Sequence, residues 1–232
     1  GVKDEKLFRS PFTIDEASYR DVRVNRQKYR KEERRSLGLT DDEIVVLTVG
    51  KINNRKRSRD VIEAAKILCV DNNPEALITF IFAGNGELMD VLQREVNKKN
   101  LPVKFLGFVN VDHLPKIYAV ADMILHPSER DPHPLVMSEA ACVGLPLVIS
   151  DRVGAVGSTD IARPTENAIV FPCGDVEALV AGLRRLIFSK IQRDRMSEAS
   201  LRIFDELDTS RSVEGVVRAY HYLDKKKLQK SI

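Results

Sequence analysis

VKFLGFVNVDHLPKIYAVADMILHPSERDPHPLVMSEAACVGLPLVIS, residues 103–150, reads as strand, helix, strand, helix and strand in succession. Its strand segments VKFLGFV, MILHPS and PLVIS are near-continuous apolar runs, as expected where helices cover both faces of a sheet. Residues 112–120 and 134–143 lie between them as helices, the second closed by a Gly-Leu-Pro turn. The same alternation continues outward. EIVVLTVG (43–50) and ALITFIFAG (76–84) are strands, with helices over 60–70 and 87–98, and AIVFP (168–172) is the last strand. Helices over 175–188, 192–206 and 212–223 complete the chain. Strand–helix alternation at this spacing predicts an α/β fold: a Rossmann-like doubly wound parallel sheet of about six strands with right-handed crossovers and helices on both faces. Residues 17–37 read as one further helix, rich in charges at i,i+4 spacing and closed by Gly38. Its Arg and Lys residues are expected to form a solvated face.

In such sheets ligands gather beyond the carboxyl ends of the strands, where the strand order reverses. Gly50-Lys51, Gly84-Asn85-Gly86, Gly107, residues 128–131 and residues 151–157 all follow strands. Lys51, Arg55, Lys56, Arg57 and Arg59 place five basic residues in nine positions. Lys51 and Lys56 could neutralise a diphosphate, each charge-assisted hydrogen bond contributing about 1.5–3 kcal/mol. A sharp turn with solvated bases, or a nucleic-acid patch, would use the same residues. Gly84-Asn85-Gly86 lacks the third glycine of a dinucleotide fingerprint, Met89 standing there, and reads first as a tight strand-to-helix turn.

Asp131 and Glu139, eight positions apart, are the carboxylates of interest. Asp131 lies in a Pro-rich loop, and Glu139 in an otherwise apolar helix, where a lone charge is costly and requires a partner. The helix start after Pro134 offers the open backbone amides and positive dipole end that suit phosphate oxygens. A carboxylate a turn or two further on could accept ribose hydroxyls. The residues alone leave open a loop cap for Asp131 and a buried Arg or Lys pair for Glu139. His133, between prolines beside Asp131, is expected to line the site, and His126 to sit in the core or behind it. No histidine stands at metal-ligand spacing with a second His or Cys, so no metal site is expected.

Composition is ordinary for a globular protein, with 43% hydrophobic and 31% charged residues and a net charge of +3, too small for strong general attraction to polyanions. Apolar runs are strand-length, and Cys69, Cys142 and Cys173 are odd in number and widely spaced, which predicts a cytoplasmic protein with reduced thiols. The first residues are polar, with no signal-peptide pattern and no Met, which reads as a piece of a longer protein. Residues 225–227, three consecutive lysines, read as a solvated tail.

Several segments resemble one family in the same order. VGKINNRKRSRDVIEA (49–64) resembles the V-G-R-L-x-x-x-K-G segment of family-4 retaining glycosyltransferases of GT-B fold. IFAGNGELMDVL (81–92) resembles their I-x-G-x-G turn, and residues 103–128 their V-x-F-x-G-x-V … Y-x-x-A-D … P-S run. DPHPLVMSEAACVGLPLVIS (131–150) resembles the E-x7-E motif with its trailing segment, and NAIVFPCGDVEALVAGL (167–183) the closing N-G … G-D run. The resemblance implies a domain that binds a nucleotide-diphosphate-sugar donor. Gly50, Gly84 and the backbone of Gly107, Phe108 and Val109 would flank the nucleotide. Lys51 and Lys56 would hold the diphosphate with the backbone amides near Leu135 and Val136, Pro134 lining the same donor site. Glu139 would hold the ribose, and Asp131 would orient the sugar beside His133. It implies no metal or other cofactor. The division implied is a linker and basic helix (1–40) from a preceding acceptor-binding domain, a donor domain (41–190), and helices (191–232) that pack back on the missing domain. The acceptor would be a saccharide or lipid, the whole enzyme could sit at the inner face of a membrane, and this chain alone would be inactive. No nucleic acid is expected as a partner. Asp replaces Glu at 131, Lys replaces Arg at 51, Arg replaces Gly at 57, and DRVGAVGSTD (151–160) replaces a Gly-Gly stretch. These departures mark a subfamily or a retuned sugar pocket, and Asp131 leaves open a domain that binds a donor without transferring; the rival readings are an epimerase of the same fold and a nucleic-acid-binding module.

Overall fold

The computed structural model describes residues 1–70 and 77–229. Ala76, at the expected start of the second strand, and the side chains of Cys69 and of residues 225–227 lie outside the described residues. Among the described residues, six parallel strands form one sheet: β1 (Ile44–Val49), β2 (Ile78–Ala83), β3 (Val103–Gly107), β4 (Met123–His126), β5 (Leu147–Ser150) and β6 (Ala168–Phe171). The order β3-β2-β1-β4-β5-β6 is doubly wound, and it reverses between β1 and β4.

Period-two alternation along β1 explains the two layers. Val45, Leu47 and Val49 pack on one side with α1 (Glu16–Val24), α2 (Arg26–Ser36), α5 (Leu114–Val120), α6 (Leu135–Cys142) and α8 (Lys190–Glu206). Ile44 and Val46 face the other side, with α3 (Ser58–Val70), α4 (Met89–Lys99) and α7 (Val176–Ile187). Asp175 caps α7, accepting from the Ala178 N–H at 2.8 Å. Met196, Ile203 and Phe204 bury α8 in the same body as the sheet. Tyr19 and Val22 likewise bury α1 in the core. No helix among the described residues is long and apolar enough to cross a membrane.

Three sequence expectations are corrected. Residues 17–37 form two helices rather than one, broken at Asn25, whose side chain bonds back to Asp21 and whose ψ of 22° leaves the helical range. The lysines at 225–227 lie within α9 (Thr209–Gln229) rather than in a tail. The largest correction concerns the arginines. Arg34, expected in solvent, is fully buried. Its Nε and Nη2 donate to the Val120 carbonyl at 3.1 and 3.0 Å, and Nη2 also to Asp122 Oδ2 at 2.8 Å. Its Nη1 donates to the carbonyls of Thr40 and Glu43 at 2.7 and 2.8 Å. Arg30 caps the same helix end and pairs with Asp122 Oδ1 at 2.7 Å. A charge pattern on a helix cannot reveal this, because the Val120 and Asp122 acceptors come from a helix end more than 80 residues away.

Arg34→Ala would leave several buried carbonyls without donors, so we expect a loss of about 3 kcal/mol or more of unfolding free energy. Denaturant unfolding measures it, and a loss below about 1 kcal/mol would assign Arg34 no structural role beyond an ordinary surface pair.

Candidate functional site

The loops after β1, β2 and β3 interlock through backbone. Gly50 N–H donates to Ala83 O at 3.0 Å, Ile52 N–H to Asn85 O at 3.1 Å, and Gly84 N–H to Gly107 O at 2.8 Å. A Cβ on Gly84 would stand 1.9 Å from the Gly50 carbonyl oxygen, so Gly84 serves the crossing of two chains. Gly107 differs: its φ is +69° and the space where a Cβ would project is open. Phe108, 80% exposed, and half-buried Val109 extend this open edge.

The basic cluster after β1 divides by partner. Lys51 is exposed and has no ion-pair partner among the described residues. The Lys56 ammonium donates to Asp131 Oδ2. Arg57 pairs with Asp60 at 2.6 and 3.1 Å, Arg59 stands 3.8 Å from Glu95, and Arg55 reaches the Arg130 carbonyl at 3.3 Å. Arg57 has φ +49°, a left-handed conformation that costs an L-residue about 1–2 kcal/mol and suits the glycine seen at this place in the resembling segment. The fork of two bonds to Asp60 fixes it there. The Arg55 carbonyl also accepts from Ser128 Oγ at 3.2 Å and the Glu129 N–H at 2.9 Å, docking this loop on the loop after β4.

Asp131 is the centre of that second loop. Its Oδ2 receives Lys56 and, at 3.1 Å, His126 Nε2. The His126 bond first, then Lys56, holds the Asp131 carboxyl well below the usual carboxylate range despite partial burial. Burial drives the His126 imidazole the other way from protonation, below its ordinary 6.5. A neutral His126 donating to an acceptor-only carboxylate carries its proton on Nε2. Asp131 is therefore fixed as an anion, with one cation already beside it.

Glu139 is treated differently. Tyr118 donates its hydroxyl to Glu139 Oε2 at 2.5 Å, and the Tyr19 hydroxyl also acts on the carboxylate from close by. Its partners are neutral tyrosines rather than the Arg or Lys weighed from sequence. Burial raises the carboxyl above its ordinary 4.5, and the tyrosine hydroxyls only partly oppose this. Both tyrosine hydroxyls are in turn held protonated, by burial first and then by Glu139. Nothing around Asp131 and Glu139 in sequence signals Tyr19, which arrives from α1.

At the start of α6, Pro134 occupies the N-cap without a side-chain cap, leaving the amides of Leu135 and Val136 at an open helix end. His133 packs against Phe12, ring centroids 4.6 Å apart and planes tilted by 33°. Its Nδ1 is buried without a hydrogen-bond partner, at a cavity of about 190 Å³ shared with Arg9, Ser10 and Asp160. Thus the structure joins Lys56 to Asp131, interlocks Gly50, Gly84 and Gly107, and groups Pro134, Leu135, Val136 and Glu139 on one helix. Lys51 stands alone, and His133 contacts the N-terminal segment. Cys142 is buried, which pushes its thiol up to about 12, and Cys173 is half-buried; both are free.

A model of the family described as glycosyl transferases group 1 matches residues 29–202, three-quarters of the chain. The chain belongs to that family. An uncharacterised glycosyltransferase of Methanocaldococcus jannaschii is 36% identical over 142 residues, covering 60% of this chain and 35% of that protein. The sulfoquinovosyl transferase SQD2 of Arabidopsis thaliana is 30% identical over 156 residues, covering 67% of this chain and 29% of that protein. The group 1 chain thus spans about a third of the length of these relatives. Among solved structures, the Anabaena protein HepE in complex with UDP superposes with a TM-score of 0.73 at 19% identity, covering 90% of this chain and 56% of that one. The C-terminal domain of a group 1 family protein (LpcC) from Francisella tularensis superposes with a TM-score of 0.66 at 19% identity, covering 89% and 97%. These neighbours share the parallel sheet flanked by helices of GT-B glycosyltransferases.

The raised carboxyl of Glu139 gives this glycosyltransferase domain a testable pH dependence. A raised folded value means the group favours folding below its unfolded value and loses that contribution as pH rises through the folded value. Glu139→Gln keeps acceptors for the tyrosines without the charge. We expect its stability relative to wild type to improve as pH rises from about 4 to about 7 in denaturant unfolding. A gap that stays constant with pH would show that Glu139 carries no buried charge.

Proposed function

We propose that this glycosyltransferase domain binds the nucleotide diphosphate of a sugar donor at the carboxyl edge of its sheet, as the donor half of a family-4 transferase that retains anomeric configuration. What carries this is one juxtaposition: an uncapped helix end at Leu135 and Val136, immediately after a loop whose Asp131 already holds Lys56. Diphosphate oxygens need both kinds of donor, oriented amides and a cation. Lys51, unpaired on the neighbouring loop, supplies a second positive charge. In this reading the two lysines offset charge developing on the leaving diphosphate, an electrostatic contribution preorganised before reaction.

The open edge at Gly107, Phe108 and Val109 receives the base, and Gly50 lets backbone approach the phosphates. Glu139, an anion poorly compensated by neutral tyrosines, accepts the ribose hydroxyls, which supply the hydrogen bonds that its surroundings lack. Asp131, held as an anion, accepts a hydroxyl of the transferred sugar and fixes its orientation. No metal or other cofactor enters this scheme. The UDP seen in the Anabaena neighbour supports a nucleotide ligand for this fold. Because the chain spans about a third of its relatives' length, the scheme gives the saccharide or lipid acceptor to another domain of the whole, cytoplasmic enzyme.

Calorimetric titration with UDP, GDP and ADP tests the reading. Saturable binding of one diphosphate is expected, weakened at least about tenfold, or about 1.4 kcal/mol, by Glu139→Ala. Lys51→Ala and Lys56→Ala should each weaken it by a similar factor. Failure of all three nucleotides to bind would overturn the donor-site reading, and equal binding by Glu139→Ala would remove the ribose role from that residue.

A further inference from the structure

A second concave surface lies at the opposite end of the sheet, beside Asp122, the residue that precedes β4. It is a depression of about 810 Å³ lined by Arg23, Arg26, Gln27, Lys28, Arg30 and Asp122. A smaller cavity of about 120 Å³ shares Arg26 and Asp122 and adds Lys190 and Arg193. Arg26 stands between the two.

The charges here do not balance. Arg30 takes Asp122 Oδ1, and Arg34 takes Oδ2, which the Val45 N–H also shares at 2.8 Å. Arg23 is held by Asp205 at 2.8 Å, Lys190 by Asp194 at 2.6 Å, and Arg193 donates to the carbonyls of Leu186 and Ile187. Arg26 has no carboxylate of its own among the described residues. Its Nη2 donates to the Ala121 carbonyl at 2.9 Å, while its Nε is enclosed without any hydrogen-bond partner. Burial first, then Arg30, pushes the guanidinium down to about 10.

Capping the carboxyl end of α5 accounts for much of this cluster, since cations suit that end of a helix. It accounts for Arg30, Arg34 and Nη2 of Arg26. It leaves the enclosed Nε, and the charge of Arg26 beside two further guanidiniums, uncompensated. An unmade bond at a buried N–H costs about 1–3 kcal/mol, and more for a charged group. A doubly charged oxyanion in the depression would supply charge that Asp122, already shared by Arg30 and Arg34, cannot give Arg26, and guanidinium forks fit phosphate oxygens.

We propose that this basic depression is an anion site for a phosphate group, with Arg26 at its base, Arg30 beside it and Lys28 at the rim. It lies at the far end of the strands from Lys51 and Lys56 and stands independently of the donor site. The phosphate can belong to a soluble compound or to a lipid headgroup, because both present the same oxygens.

Titration of inorganic phosphate at constant ionic strength tests this on wild type, Arg26→Gln and the double variant Lys51→Ala/Lys56→Ala. Saturable binding is expected in wild type and in the lysine variant, and at least about tenfold weaker in Arg26→Gln. Binding that survives Arg26→Gln in the Lys51→Ala/Lys56→Ala background, or that is lost only with the lysines, overturns the proposal. So does the absence of saturable binding by wild type. Should Arg26→Gln fail to fold, the arginine side-chain N–H resonances of the wild-type protein decide: phosphate must shift an Nε–H signal that Arg26→Lys lacks, and no such shift overturns the site. Flotation with phosphatidylcholine vesicles, with and without phosphatidic acid, separates the sources. Binding only to the acidic vesicles, lost in Arg26→Gln, supports the site with a lipid phosphate. Phosphate binding without vesicle binding supports it with a soluble one.

Discussion

The pairing of β1 with β4 is the constraint on which the rest of the structure depends. It is the place where the strand order reverses, and its ladder is short, with Val46 opposite Met123 and Leu47 opposite Ile124. Carboxylates reinforce it at both ends. At the amino end Asp122 accepts the Val45 N–H, and its own N–H donates to the Val45 carbonyl at 2.9 Å. At the carboxyl end Asp131 takes Lys56, so the loops leaving these two strands are joined by an ion pair. A crevice opens at a switch point because successive loops diverge there. Side chains rather than a long ladder therefore set its width in this protein.

The two ends use charge differently. Around Asp122, two guanidiniums share one carboxylate, and helix carbonyls take up the remaining donors. Around Asp131, one ammonium and one neutral imidazole meet a single oxygen, and among the described residues no backbone carbonyl competes for Lys56. The first arrangement engages every nitrogen of Arg34 and makes a rigid joint, with Arg26 beside it keeping an unpaired Nε. The second leaves ammonium donors available, since Lys56 has three N–H bonds and Asp131 engages one oxygen. Rigidity at one end and spare bonding capacity at the other is the division expected of a scaffold that carries a site at the end of its strands.

Much of this was legible in the sequence because it is local. Strand runs such as IVVLTV and ITFIFA, and the glycines that follow them, show both the layers and the ligand edge. The eight-residue spacing of Asp131 and Glu139 likewise marks a loop followed by a helix. What escaped is long-range. Arg34 looks solvated in its helix, since nothing nearby in sequence shows the α5 carbonyls that it meets. Tyr118 falls in a segment read as helix, but its hydroxyl reaches Glu139 only after α5 and α6 pack together. His126 reads from its strand-end position as a residue of the core or behind the site; its bond to Asp131 needs the loop to fold back across five residues.

Asp131 and Glu139 show how one fold separates two like groups. Asp131 gains a cation and a ring N–H, which hold it ionised. Glu139 gains two neutral hydroxyls in a buried setting, which leave its charge undercompensated and its carboxyl raised. Divergent environments for two carboxylates commonly mark divergent roles. A compensated anion is a positioning group, because its orientation is fixed by partners on two sides. An undercompensated one interacts favourably with any donor that reaches it, and hydroxyl pairs are well matched to a carboxylate with a free oxygen. Oε2 of Glu139 holds Tyr118, so the capacity that remains lies chiefly on its other oxygen.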